Sequence, residues 1–174
     1  MIELTLEDFK YFLEKQALLD EAIMKEKQIT KNEWLNDLEN NHVIALKVEV
    51  AEFVNECSNI WKYWKDKEPN RERIIDEAID VLHFVFLRLN KRANLSEKEV
   101  YDFYINNSAS RINAVGENEK TSEMFRLLLD KQYPLTILAI VMYVLSEYGF
   151  TRDDVIEQYN KKNAINFERL ENGY

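Results

Sequence analysis

Between Glu49 and Asp80 the chain carries two pairs of carboxylates, Glu49 with Glu52 and Glu77 with Asp80, each three residues apart. On a helix that spacing sets both members of a pair on one face. Residues 53 to 76 lie between the pairs, enough to finish one helix, turn at Pro69-Asn70 and return antiparallel. A fold must therefore solvate four acids separately or face them across a helix pair. Faced together, oxygen donors at that density suit Mg²⁺ or Mn²⁺.

Helical periodicity of roughly 100° per residue separates the two alternatives. Val50, Phe53, Val54, Cys57, Ile60 and Trp61 fill one arc of the first helix, and Glu49, Glu52 and Glu56 sit beside it. The second helix is less accommodating. From Ala78 to Leu89 it reads AIDVLHFVFLRL, apolar almost all round, as a buried helix does. Asp80 projects between Phe84 and Leu87 there, and an unpaired carboxylate would be costly. A proton, a cation or a metal is expected to neutralise it. Taken alone, Glu49 and Glu52 could equally be a solvated helix face.

A chain of 174 residues suits one domain with a real core. Only 3 Gly and 2 Pro leave few tight turns, which favours an all-α protein. The net charge of −9 argues against a nucleic-acid polymer as partner. Cys57 falls on the apolar arc and reads as a core residue. A single Cys cannot form an internal disulfide and fits a reducing cytoplasm. The opening MIELTLEDFK has neither the basic nor the apolar region of a signal peptide. The apolar runs 78–89 and 135–145 are too short to span a bilayer, so no membrane is expected.

Along the chain, Thr5 is placed to cap a first helix that carries Gln16 and Asp20 on one face. In isolation that polar pair reads as surface. Thr30-Lys31-Asn32-Glu33 is a capping box opening a short helix. Asn40-Asn41 marks a bend before a long helix running through Trp64. That helix ends in WKYWK, where Lys62 and Lys65 share one face and Trp61 and Trp64 another. The segment is either a core stripe with snorkelling lysines or a basic, aromatic-edged rim beside the acids. Asn70 caps the next helix, through about Arg92. On it, His83 more simply reads as a hydrogen-bonded core residue than as a ligand. Ser96 to Glu99 opens a helix to about Ala114, and another runs from about Glu119 to Gln132. The apolar stretch 135–148 must be core or subunit interface. Thr151 caps a last helix, whose Tyr159, Lys162, Asn163, Asn166 and Arg169 form one stripe of donors able to grip a polyphosphate.

With Gln16 and Asp20, the two acid pairs, WKYWK and the closing YNKKNAINFERLENGY in view, the chain resembles a dimeric dUTPase of the all-α NTP pyrophosphatase superfamily, of the phage and Gram-positive type. The resemblance implies a helical bundle around the antiparallel pair, assembled as a homodimer, with the apolar excess of 78–89 and 135–148 at the interface. It implies Mg²⁺-dependent hydrolysis of dUTP to dUMP and pyrophosphate, with attack at the β-phosphorus by a metal-activated water. Glu49, Glu52, Glu77 and Asp80 would hold the metals, with Glu49 as candidate base. Gln16 would read the uracil with help from Trp61, and some members carry Asn at the position of Asp20. His83 and Phe84 would line the deoxyribose and disfavour a 2′-hydroxyl. Lys62, Lys65, Tyr159, Lys162, Asn163, Asn166 and Arg169 would hold phosphates. Residues 95–134 match no motif and read as a lineage-specific insert, a surface on which a regulatory protein such as a repressor could dock. The setting would be the cytoplasm, that of the host for a phage-encoded chain.

Three other readings stay open on the residues alone. One is the same chemistry on dCTP, because a free amide at Gln16 can turn to suit either base. Another is a ferritin-like di-metal protein, since Glu39 with His42 has the E-x-x-H spacing. The third is a non-enzymatic helical interaction protein.

Overall fold

The computed structural model describes residues 1–66, 68–91, 95–116, 121–131 and 133–173. Side-chain oxygens start several of the helices. Thr5 and Asp8 form a capping box at the head of α1 (Leu6–Glu26), and the Thr30–Glu33 box precedes a π-helical turn, Glu33–Asp37. Then come α2 (Glu39–Glu56) and the single turn α3 (Ser58–Trp61). Asn70 caps α4 (Arg71–Asn90) by accepting from the Arg73 N–H. A box of Ser96 and Glu99 opens α5 (Glu97–Phe103), which runs through a π-helical stretch, Tyr104–Ala109, into α6 (Ser110–Gly116). The chain closes with α7 (Thr121–Asp130), α8 (Pro134–Glu147) and α9 (Arg152–Glu171), the last capped by Thr151 with Asp154. Among the described residues there is no strand, so the fold is all-α. Three expected helix ends, Arg92, Glu119 and Gln132, lie outside the described residues, as does the closing Tyr174.

The expected long helix through Trp64 is corrected. It stops at Glu56, and Cys57 turns out of the helix with ψ at 27°. The reason is a tertiary hydrogen bond: the Trp61 indole N–H reaches back 2.9 Å to the Val54 carbonyl, one of the acceptors a helix end leaves open. WKYWK is thus a fold-back rather than a helix face. The bend placed at Asn40-Asn41 falls instead at Leu38, before α2 begins.

Helix α4 is the axis of the molecule. It packs against α2 most extensively, and against α1, α8 and α9. Beyond its first turn it is buried on nearly every side; its partly open seam runs through Asp76, Glu77, Asp80, Phe84 and Arg88. Asp80 therefore has a route to solvent that the apolar reading of 78–89 did not expect. Helix α8 is sealed by the rest of the chain from Ile137 to Met142. The apolar excess of both helices is consumed in this chain's own core, not left over for a subunit interface. Residues 95–134 share that core through Val100, Tyr104, Ile112, Met124 and Leu128. Among the described residues no single helix is long and apolar enough to cross a membrane.

Two features fix where the ends of α1 and α9 meet. Phe12, Phe86 and Tyr159 form a ring cluster, with Phe12 centred 5.1 Å from Phe86 and 4.6 Å from Tyr159. At the head of α1, the buried Asp8 accepts from Arg152 of α9 at 2.6 and 2.7 Å. Burial alone would raise the Asp8 carboxyl, but Arg152 and the Thr5 donors outweigh it and hold the pKa below its ordinary value. The sign follows: the ionised group stabilises the fold above its unfolded pKa of 3.8, and that contribution is lost as the pH falls through the lower folded value. Asp8→Asn is expected to cost about 1 kcal/mol at neutral pH. Urea unfolding of parent and variant should show the gap closing as the solution is acidified; a pH-independent gap would contradict the assignment.

Candidate functional site

The acids converge. Glu49 and Glu52 of α2 and Glu77 of α4 place one carboxylate oxygen each within 4.8 Å of the others. Their meeting follows from the arcs beside them, because Val50, Phe53 and Val54 on α2 and Ala78 and Ile79 on α4 are buried and set the rotation of each helix. Burial first, then the charges of Asp80, Glu52 and Glu77, push the Glu49 carboxyl up to about 7. Glu77 is raised for the same kinds of reason, burial ahead of Asp80 and Glu52.

Asp80 is the exception within the quartet. It is not in the close trio: its carboxylate is met at 2.7 Å by the Lys162 ammonium of α9. A cation is thus the neutraliser that the sequence called for. The same ammonium donates to Asp76 at 2.7 Å, and Gln158 donates to Asp76 at 2.9 Å. Asp76 was not singled out from the sequence, although it stands one turn before Asp80 on the same seam. Arg73 adds a guanidinium 2.9 Å from Glu56 and 4.0 Å from Glu77, another contact that sequence spacing across two helices does not reveal.

From this acidic patch a cavity of about 380 Å³ runs between α1, α4 and α9. Glu49 and Asp80 line it. Gln16, His83, Phe84, Asn166 and Arg169 line it as well, with an apolar wall of Leu19, Ile23, Leu87 and Leu170. The wall and Lys27 were not among the residues expected there. Phe84 and Leu87 flank Asp80 as the periodicity required.

Several expected contacts lie behind the cavity rather than on it. Asp20 is buried and accepts from Gln16 Nε2 at 2.7 Å. Tyr159, fully buried, donates its hydroxyl to Gln16 Oε1 at 3.3 Å and stacks on His83, ring centres 4.4 Å apart. Asn163 is buried as well, and its Nδ2 has no hydrogen-bond partner among the described residues. The expected continuous donor stripe of α9 therefore divides: Asn166 and Arg169 face the cavity, Lys162 faces the acids, and Tyr159 supports Gln16. Trp61, Lys62 and Lys65 do not line the cavity; Lys62 donates to Asn55 at 2.9 Å and lies over the Trp61 ring. Cys57 is buried, with its thiol pushed up to about 12 by that burial.

Among the described residues no ferritin-like centre is formed. Glu39 is spent on Arg88 and Lys91, and His42, its pKa lowered to about 4 by burial and by Lys91, contacts Lys91. Among the described residues the cluster within ligand distance contains no histidine.

A family model described as dUTPase matches residues 8–174. A search of the curated proteins finds no match.

Protons and a divalent cation compete for the carboxylate oxygens of the trio. Because the Glu49 carboxyl stays protonated up to about pH 7, cation affinity should fall as the pH drops through that value, and binding should release protons. Calorimetric titration with Mg²⁺ in two buffers of different ionisation enthalpy measures both. An affinity indifferent to pH would show that Glu49 is not a ligand.

Proposed function

The chain belongs to the dUTPase family and is a dUTP diphosphatase, and we propose that it hydrolyses dUTP to dUMP and pyrophosphate with a divalent metal held at the acidic trio. One observation carries the reading: Glu49 belongs both to the trio and to the cavity that Gln16 lines. A triphosphate tail and a base can therefore occupy one continuous site.

Three carboxylates with oxygens within 4.8 Å of one another are a hard donor set, which fits Mg²⁺ or Mn²⁺. Glu49, Glu52 and Glu77 would hold the ion, and Asp80 would join them on exchanging Lys162. Once bound, such an ion offsets phosphate charge and acidifies a water, which makes a nucleophile at neutral pH.

The chain's own residues supply the rest. The acids cannot receive a polyanion unaided, so fixed cations must stand close. Arg169 and Asn166 on the cavity wall fit phosphate oxygens through charge-assisted and neutral hydrogen bonds. Lys162, held between Asp76 and Asp80, is within a side-chain swing of the same oxygens. Glu49 is the candidate base: it is half-buried, beside the patch, and disposed by its neighbours to take a proton. Gln16 stands at the base, and the Phe84 ring on the cavity wall fits against the sugar, where it leaves little room for a 2′-hydroxyl. Neither Ser-His nor Cys-His chemistry is required.

We further propose assembly as a homodimer. Ile44 and Val48, one turn apart on the outer face of α2, are exposed at 63% and 47%. Sedimentation equilibrium tests this, and a monomer at working concentration would sink it.

Pyrophosphate release from each common nucleoside triphosphate, with and without Mg²⁺, tests the reaction. Selective, metal-dependent cleavage of dUTP is expected. Glu52 is exposed, so Glu52→Ala should leave the melting temperature nearly unchanged while lowering turnover by about 100-fold or more. Full turnover in that variant would refute the ligand set.

A further inference from the structure

A carboxamide that reads a pyrimidine must first be told which way to point. Uracil and cytosine reverse donor and acceptor at positions 3 and 4, so an amide free to turn over suits both. Gln16 is not free to turn. It is 2% exposed, and each of its polar atoms is already engaged from behind the cavity. Nε2 donates to Asp20 one turn along α1, at 2.7 Å. Oε1 accepts from the Tyr159 hydroxyl at 3.3 Å and lies 2.8 Å from His83 Nδ1.

Asp20 selects one orientation, and the other two neighbours can complete it. Burial pushes the Asp20 carboxyl up to about 7, and in its ionised form above that value it offers only oxygen, so it selects the amide nitrogen, the geometry seen at 2.7 Å. Burial holds His83 neutral, with its pKa pushed down to about 3, so a proton on Nδ1 can donate to Oε1. Turned over, the amide would set oxygen against oxygen at Asp20. Of the two Nε2 hydrogens, one is used by Asp20. The other remains for the cavity, which Gln16 lines and Asp20 does not. Asp20 opens on a separate recess with Lys31, Trp34 and Lys91.

We propose that Asp20 is a positioning residue, which with Tyr159 and His83 fixes Gln16 as a hydrogen-bond donor to the base, so that the site takes a pyrimidine carrying a carbonyl at position 4 and rejects one carrying an amine. The inference rests on the dUTP reading and deepens it. It removes Asp20 from the base contacts and Tyr159 from the phosphate contacts. It also gives the stacked pair Tyr159–His83 a task, which is to hold the oxygen side of the amide. Cytosine would meet a donor with a donor, and the buried N–H would be left unpaired.

The test compares kcat and KM for dUTP and dCTP in the full-length protein and three variants. Asp20→Leu removes the acceptor. The dUTP KM should rise by about tenfold, more than kcat falls, and the dUTP-over-dCTP ratio of kcat/KM should drop by about tenfold or more. Asp20→Asn, whose amide oxygen can accept the same bond, should restore most of the ratio. Tyr159→Phe deletes the hydroxyl, keeps the ring on His83, and should lower the ratio in the same direction by less. Melting temperatures establish that each variant is folded, and if Asp20→Leu does not fold, Tyr159→Phe decides. A parent-like ratio in folded Asp20→Leu, or in Tyr159→Phe where that variant decides, overturns the inference. A parent that cleaves neither nucleotide overturns the dUTP reading itself, which is a different result.

Discussion

The structure depends on like charges being forced together. Two carboxylates 4.8 Å apart repel by about 3 kcal/mol at an effective dielectric of about 20, so three do not assemble unless something else compels it. What compels them is the burial beside them. Leu46, Val50, Phe53 and Val54 of α2 and Ala78, Ile79, Val81 and Leu82 of α4 are sealed between the helices and their neighbours. Each of the larger side chains contributes about 1.5–3 kcal/mol on leaving water, which together exceeds the repulsion. The helices cannot rotate to separate the acids without exposing that apolar face. Burial raises the carboxyl pKa values of Glu49, Glu77 and Asp80, and at Glu49 and Glu77 the neighbouring acids raise them further. A site strained in this way is primed for a cation, because a cation removes the strain that the core imposes.

Lys162 shows how the fold lives with the strain. It is 7% exposed, and burial alone would lower its pKa, yet the hydrogen bonds to Asp76 and Asp80 raise it. A buried ammonium with two acids is satisfied, and so is Asp80 with one ammonium. The arrangement ties α9 to the open seam of α4. That seam also carries Glu77, so α9 is anchored beside the acidic trio. Asp8 and Arg152 fasten the other end of α9, out of the site, and leave its middle turns free to carry the donors.

Local chemistry was legible in the sequence and packing direction was not. The caps at Thr5 and Thr151 and the boxes at Thr30 and Ser96 need only residues three apart, and all four form, the first two also closing as boxes with Asp8 and Asp154. The acid pairs were legible for the same reason, and so was the buried character of α4. The helix through Trp64 was not, because its end depends on Trp61 bonding back to Val54 across a turn with no sequence mark. The donor stripe of α9 was correct as a helix face, but a helical wheel does not say which neighbour each member meets. Tyr159 and Lys162 share the face and have different partners, since α1 lies against one and α4 against the other. Asp76 went unnoticed because nothing in its own turn distinguishes it from a solvated acid. Its role appears only when Lys162 arrives from another helix.

The same distinction explains why residues that resemble ligand contacts can be supports. A side chain able to bond a nucleotide is equally able to bond the residue that does so, and burial decides between the two. Asn166 and Arg169 border the cavity, whereas Tyr159 and Asp20 are sealed behind Gln16. Their hydrogen bonds are therefore made before any nucleotide enters. The ring cluster of Phe12, Phe86 and Tyr159 holds that supporting layer to the core, and Phe12 lies one turn before Gln16 on α1. Gln16 is thus held by apolar packing behind it, just as the acids are held by apolar packing beside them.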